Sequence, residues 1–393
     1  MADRHVNHLL IGGGIAAASA ASTLAAEASG ASVLLVGREL DPPYHRPPAS
    51  KGYLQGTESR EDALIELPDA VEVLTRTSVM ALDPEAREAK LSTKENVSYD
   101  SALVATGAMV RRLQVDGAQL HGLHYLRALG NADTIRSDVE SASEVVLVGG
   151  SYIGCEVAAS LTVLGKRCTI VMLEEHPFEL GFGPEAGRFF RRVLEEHGVT
   201  VMGGVSVERF EGTDDRVSSV VLGDGTSLPA DAVVLGVGAQ PDVMLARKAG
   251  LEIGETGGVA CDRTLRTSAD GVWAAGDICE YESVIHGERI RVEHEVHAEE
   301  QGAAAARNML GADKPYDVVP YFFSDLADWA SLEYVGPAKA WGEEVFEGDT
   351  DAGTFWVRYL DGERRVLAAL SVGGYGDLDA ARAAMASGEP LTP

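Results

Sequence analysis

Apolar positions along this chain fall in short unbroken runs rather than in strict alternation, and several of those runs stop at glycine. HLLIGGG at 8–14 leads into IAAASAASTLAAE, a stretch of small residues, and then into SVLLVGRE at 32–39. EVVLVGGSYIG at 144–154 leads into CEVAASLTVLG and then CTIVMLEE at 168–175. Each copy predicts a strand, a glycine turn, a small-residue helix and a second strand followed by an acid. Continuous rather than alternating apolar strands suit a parallel sheet covered on both faces, so both copies read as βαβ units. SALVATGA at 101–108, DAVVLGVGAQP at 231–241 and DGVWAAGD at 270–277 predict further strands returning to these sheets. Beyond Pro315 the pattern changes. Aromatic residues become dense, TFWVRYL and VLAALSV predict a hairpin with its turn at Asp361-Gly362, and a helix starts near Leu378 with Asp377 as N-cap and Gly388 past its end.

A length of 393 residues leaves room for two or three cores. The expected organisation is a split first domain over 1–112 and 243–314, a second over 113–242, and a C-terminal domain over 315–393. A net charge of -28 with seven lysines argues against nucleic acid or an anionic membrane as partner, since both demand a basic footprint. Four cysteines without a CxxC suggest neither a zinc site nor a disulfide framework, and a reducing cytosol fits them. The N-terminal run has the small residues of a secretion signal, but three consecutive glycines would weaken the apolar helix such a signal needs. No stretch reaches the 18 apolar residues of a membrane helix.

The chemistry concentrates at the two glycine turns. Gly12-Gly13-Gly14-Ile15-Ala16-Ala17 fits G-x-G-x-x-A between a strand and a helix. There Gly12 makes the tight turn, Gly14 admits a pyrophosphate, and the helix supplies amide donors and positive dipole. Glu39, 27 positions after Gly12, can accept from ribose hydroxyls. The second copy, Gly149-Gly150-Ser151-Tyr152-Ile153-Gly154, carries serine where the second glycine should stand, a change that a hydroxyl able to donate to phosphate tolerates. Glu174, 25 positions after Gly149, would accept from a 2'-hydroxyl and repel a 2'-phosphate, which favours NADH over NADPH. Gly236 and Gly238 complete this second site at the end of the 231–241 strand. No G-x-S-x-G or Walker motif is present, and His294 and His297 lack H-E-x-x-H spacing, so neither hydrolase chemistry nor metal binding is expected. Cys155 packs rather than reacts, because nothing around it would stabilise a thiolate.

Over essentially its whole length the chain resembles the two-dinucleotide flavoprotein reductases of the glutathione-reductase superfamily. Their fold is α/β, with two Rossmann-like dinucleotide-binding domains, for FAD and for NAD, plus a C-terminal α+β domain. The resemblance makes TSADGVWAAGD the second FAD motif, with Asp277 on the ribityl chain, and Thr106-Gly107 the turn between domains. Val79, Arg46 and Arg127 occupy positions that contact FAD in similar enzymes. Disulfide reductases of the superfamily relay electrons through a CxxxxC pair beside the flavin, and the corresponding loop here has no cysteine. PYHRPPASKGYL at 43–54 instead is similar to the PYxRPxLSKxYL loop of oxygenase-coupled ferredoxin reductases of the putidaredoxin reductase type, with similarity to apoptosis-inducing factor and monodehydroascorbate reductase. That likeness implies catalytic roles for Lys51, by flavin N5, and Glu156, paired with it. A fixed cation there would stabilise the negative charge that reduction brings, and Glu156 could also hold the nicotinamide carboxamide.

Two further segments carry weaker expectations. Glu293, His294 and Glu295 lead into a helix whose N-terminus can face the flavin, although an apolar or aromatic residue is commoner at the place of Glu295. Phe322 and Phe323 match an aromatic segment at the flavin edge, where tryptophan is more familiar in the second position; a core role for both is the alternative. The expected partner is a ferredoxin-type iron-sulfur protein serving a P450 or ring-hydroxylating oxygenase, with the enzyme a monomer or homodimer. A small acceptor such as a quinone, a radical or oxygen stays open, as does an NADH-responsive interaction role. An acidic ferredoxin would meet like charge unless a basic patch exists, for which Arg188, Arg191 and Arg192 are one candidate.

Overall fold

The computed structural model describes residues 2–390. The chain forms two compact units, Met1–His45 with Leu64–Met109 and Gln240–Phe322, and Arg46–Ala63 with Val110–Ala239 and Phe323–Pro393.

In the first unit, the strand Arg4–Ile11 lies parallel between Val33–Val36 and Asn96–Val104, and the helix Ile15–Glu27 connects the first two. Val71–Leu74 extends the sheet beyond Val33–Val36, and Val272–Ala274 pairs in parallel with Asn96–Val104. The four residues of Val33–Val36 are all buried, as expected of a strand covered on both faces. Alanine dominates the helix Ile15–Glu27 because the helix Glu295–Met309 packs close against it; a Cβ on Gly302 would stand 2.1 Å from the Ala16 carbonyl oxygen. Both predicted strands of the first copy and the returns at 101–108 and 270–277 are thus present.

The second unit repeats the plan. Its parallel sheet runs in the order Thr200–Met202, Arg167–Val171, Glu144–Val148, Ala232–Leu235 and Leu123–His124. A five-stranded antiparallel sheet carries the C-terminal residues, with Thr354–Leu360 beside Val366–Val372. An aromatic cluster of Tyr152, Phe178, Phe182, Phe190, Tyr334 and Tyr359 links the parallel sheet's helices to it, and the Tyr359 hydroxyl donates to the Phe182 carbonyl at 2.9 Å. The helix Leu378–Ser387 follows its predicted caps, since the Asp377 side chain accepts from the Ala380 amide and Gly388 takes φ 65°.

The hairpin differs from its prediction in the turn. Leu360 pairs with Val366, so the loop holds five residues, and its left-handed position is Arg364 (φ 63°) rather than Gly362. The Asp361 carboxylate explains this, because it accepts from the Glu363 and Arg365 amides and closes the wider loop.

Candidate active site

The first glycine turn is built for close backbone approach. Gly12 has φ 137°, and a Cβ there would lie 2.0 Å from the Ala105 carbonyl oxygen, so no other residue fits. Beside Gly14 the space is open, with nothing within 4 Å of where a Cβ would stand. The helix that follows begins with Ile15, Ala16 and Ala17, without a side-chain cap and without an acid in its first turn. Its amide donors therefore point at room for a pyrophosphate. Glu39 stands three residues past Val36 and accepts from the Tyr44 hydroxyl at 2.5 Å, which fixes its carboxylate. Thr106 donates to the Asp242 carbonyl at 2.9 Å, and Gly107 takes φ 66° at the turn that follows. The Asp277 carbonyl accepts from Arg291, which also pairs with Glu293. Val79 opens a strand and packs on the core. His294 stacks on Phe322 at 3.7 Å between ring centroids, and Glu295 pairs with His45 at 2.7 Å. Of these, it is the turn at Gly12–Gly14 with the uncapped helix after it that fits a dinucleotide pyrophosphate.

The second unit holds the other candidates, namely Arg46, Lys51, Arg127 and Phe323 together with the second glycine turn. Here the third glycine is the decisive one. A Cβ on Gly154 would stand 1.9 Å from the Gly149 carbonyl oxygen, so the helix Tyr152–Val163 can approach the strand only without a side chain at 154. Gly236 has its backbone against Gly149 and Gly154, Gly150 faces Met172, and Gly238 has only the Arg111 side chain near where a Cβ would stand. Ser151 is exposed at the helix N-cap and makes no cap bond, which leaves its hydroxyl for a phosphate; Ile153 follows in the first turn. The Tyr152 ring, by contrast, is a member of the aromatic cluster. Glu174 lies three residues past Val171, half-buried. This turn also fits a dinucleotide.

The segment at 46–55 is a scaffold. Pro47 and Pro48 start a short 3-10 turn, Lys51 follows with φ -124° and ψ -117°, and a helical turn resumes at Gly52. Ser160, on the second helix, donates to the Ser50 carbonyl at 2.7 Å and accepts from Gln55 at 3.1 Å. Arg46 donates to the Arg127 carbonyl at 2.7 Å. The segment therefore presents Lys51 in a fixed place.

Around Lys51 the structure assembles more than the sequence predicted. Glu156 is 8% exposed, and both of its oxygens are occupied, Oε2 by the Ser50 hydroxyl at 2.5 Å and Oε1 by the Ser324 hydroxyl at 2.6 Å. Lys51 Nζ stands 3.7 Å from Glu156 Oε1 but 3.0 Å from Asp325 Oδ2. Phe323, 45% exposed, holds its ring 5.2 Å from the same ammonium. The two phenylalanines divide: Phe322 is core, whereas Phe323 faces the lysine. Ser324 and Asp325 were missed in the sequence, although they follow Phe322-Phe323 directly.

Burial pushes the Cys155 thiol well above its ordinary range, with Glu156 adding to the shift, so this cysteine is a packed group. Cys168, Cys261 and Cys279 are likewise buried and unbridged. The arginine cluster offers no open basic patch: Arg188 pairs with Glu185, Arg191 with Glu195 at 2.9 Å and Arg192 with Asp351 at 2.8 Å. Among the described residues no helix is long and apolar enough to cross a membrane.

The family described as pyridine nucleotide-disulphide oxidoreductase matches residues 6–302. A 5,5'-dehydrodivanillate O-demethylase ferredoxin reductase subunit from a Sphingobium species is 35% identical over 91% of this chain and 87% of its own. Rhodocoxin reductase from Rhodococcus erythropolis is 32% identical over 98% of this chain and 90% of its own. The solved structure of a covalent putidaredoxin reductase-putidaredoxin complex matches at a TM-score of 0.91 with 30% identity, covering 100% of this chain and 95% of that one. The chain belongs to the pyridine nucleotide-disulphide oxidoreductase family.

Proposed function

We propose that this protein is a FAD-dependent NADH reductase that delivers electrons singly to a ferredoxin-type iron-sulfur protein serving a P450 or ring-hydroxylating oxygenase. The observation that carries this reading is Lys51, held in a fixed turn beside a buried carboxylate where a thiol relay would otherwise stand. FAD, when bound, would supply the chemistry: a two-electron acceptor for NADH that can also act as a one-electron donor.

The chain's own residues bind and orient. Gly12, Gly14 and the helix after them hold the FAD pyrophosphate, Glu39 its ribose, and Asp277 its ribityl chain. In the first unit Val79, Thr106, Gly107 and residues 293–295 would contact FAD, and in the second unit Arg46 and Arg127 are the residues the family likeness assigns to it. The turn at 149–154 would hold NADH, with Glu174 on the adenosine ribose; Glu156 has both oxygens taken by the Ser50 and Ser324 hydroxyls, so it would meet the carboxamide only through its remaining lone pairs. Lys51 sets a positive charge where reduction places a negative one, and so favours the reduced state. The buried, unbridged cysteines suit a cytoplasmic setting. Residues 1–112 with 243–314, 113–242 and 315–393 then serve as FAD, NAD and interface domains.

The experiment is NADH-driven turnover with an added ferredoxin of an oxygenase system and, separately, with quinone and oxygen. Rapid reduction of the iron-sulfur protein is expected. Turnover confined to small acceptors would replace the proposed partner, and a slow reaction with a change in oligomeric state would replace the enzyme reading altogether.

A further inference from the structure

The pairing of Lys51 with Glu156 is looser than the arrangement around it. At 3.7 Å the ammonium is beyond direct hydrogen-bond reach of that carboxylate, and each Glu156 oxygen already accepts a hydroxyl. Asp325, at 3.0 Å, is the acceptor the ammonium touches. Two dipeptides from distant parts of the chain, Ser50-Lys51 and Ser324-Asp325, meet across Glu156. Their serines satisfy its two oxygens, and the residues that follow pair with each other. Glu156 is thereby the anchor of the pair rather than the lysine's direct partner.

We propose that Asp325 is the positioning residue for the Lys51 ammonium, and that Ser50 and Ser324 serve it by neutralising the hydrogen-bonding demand of Glu156. A Lys side chain has four rotatable carbons and pays rotamer entropy to stay in one place. One charge-assisted bond to Asp325, with the Phe323 ring 5.2 Å below, confines it. Phenylalanine gives a weaker cation-π platform than tryptophan, so in this chain the carboxylate bears more of the task. Without Asp325 the ammonium would move toward solvent or toward Glu156, and the positive charge would leave its working position.

The inference rests on the reading of Lys51 as the cation beside the flavin, and the test separates the two. The midpoint potential of the bound flavin and its rate of anaerobic bleaching by NADH are measured in the holoprotein for Asp325→Asn, Asp325→Glu, Lys51→Met and the Asp325→Asn/Lys51→Met pair. The expected result for Asp325→Asn is a downward shift of potential toward the Lys51→Met value and bleaching slowed by about tenfold, with Asp325→Glu restoring much of both. The double variant should match Lys51→Met. An upward shift in Asp325→Asn would make Asp325 only a neighbouring negative charge, and an unchanged potential would make it structural. A shift that persists undiminished in the Lys51→Met background would show that it acts without the lysine. Each of these overturns the inference while leaving Lys51 in place, whereas a Lys51→Met protein identical to the parent would remove the reading beneath it.

Discussion

Glu156 shows how much a single buried carboxylate asks of its surroundings. A charge at 8% exposure must be paired and hydrogen-bonded, and two serine hydroxyls plus a nearby ammonium meet that demand. Ser50→Ala should therefore lower unfolding free energy by about 1.5–3 kcal/mol, the range for a buried bond to a charged acceptor, as read in urea titrations. A change under about 0.5 kcal/mol would mean that water replaces the hydroxyl freely. Glu174 makes a different prediction. Removing its charge in Glu174→Gln relieves repulsion of a 2'-phosphate, so the NADH to NADPH ratio of kcat/KM should fall by about tenfold. At this scale the loop 43–54 pointed to Lys51 through its family likeness, Glu156 and Glu174 stood out by their places after the second glycine turn, and the structure brings Lys51 and Glu156 within 3.7 Å. Ser324 and Asp325 had no such offset; only the fold brings residues 324 and 325 to residue 51.

The glycine turns, helices and strands of both βαβ units were legible because local rules decide them: unbroken apolar runs, small residues where backbones touch, and caps such as Asp377 and Gly388. The five-residue hairpin loop was not, since the Asp361 carboxylate overrides the turn that Asp-Gly would otherwise favour. Gly154→Ala should separate the helix Tyr152–Val163 from its strand, raising KM for NADH about tenfold or more while flavin content is kept, because the clash of the new Cβ with the Gly149 carbonyl falls in the second motif. Within the first unit, the helix Glu295–Met309 buries His297 completely between Tyr281 and Tyr316. Burial, with His294 and His286 adding to it, lowers this imidazole to about 3, and burial lowers His286 to about 4. Both folded values lie below the unfolded 6.5, so the unfolded chain binds more protons beneath that pH. Stability is full above about 6.5 and falls as pH drops toward 4, by up to roughly 1.4 kcal/mol per pH unit for each histidine. Thermal unfolding at pH 7 and pH 5 checks this, and His297→Gln should flatten the dependence.

At the level of the whole molecule, the net charge of -28 and the pairing of Arg188, Arg191 and Arg192 with acids set the terms of any encounter. Reduction of an acidic iron-sulfur protein should accelerate as ionic strength rises from about 0.01 to about 0.15 M, because shrinking the Debye length removes like-charge repulsion. A rate that falls over that range would reveal a complementary basic surface. Two dinucleotide turns and no thiol partner also dictate how many electrons the protein can store. Anaerobic titration of the purified holoprotein with NADH tests this most directly. Complete bleaching at about two electrons per flavin is expected, since the flavin alone accepts them; uptake of about four, or protein that binds no flavin, would contradict the account.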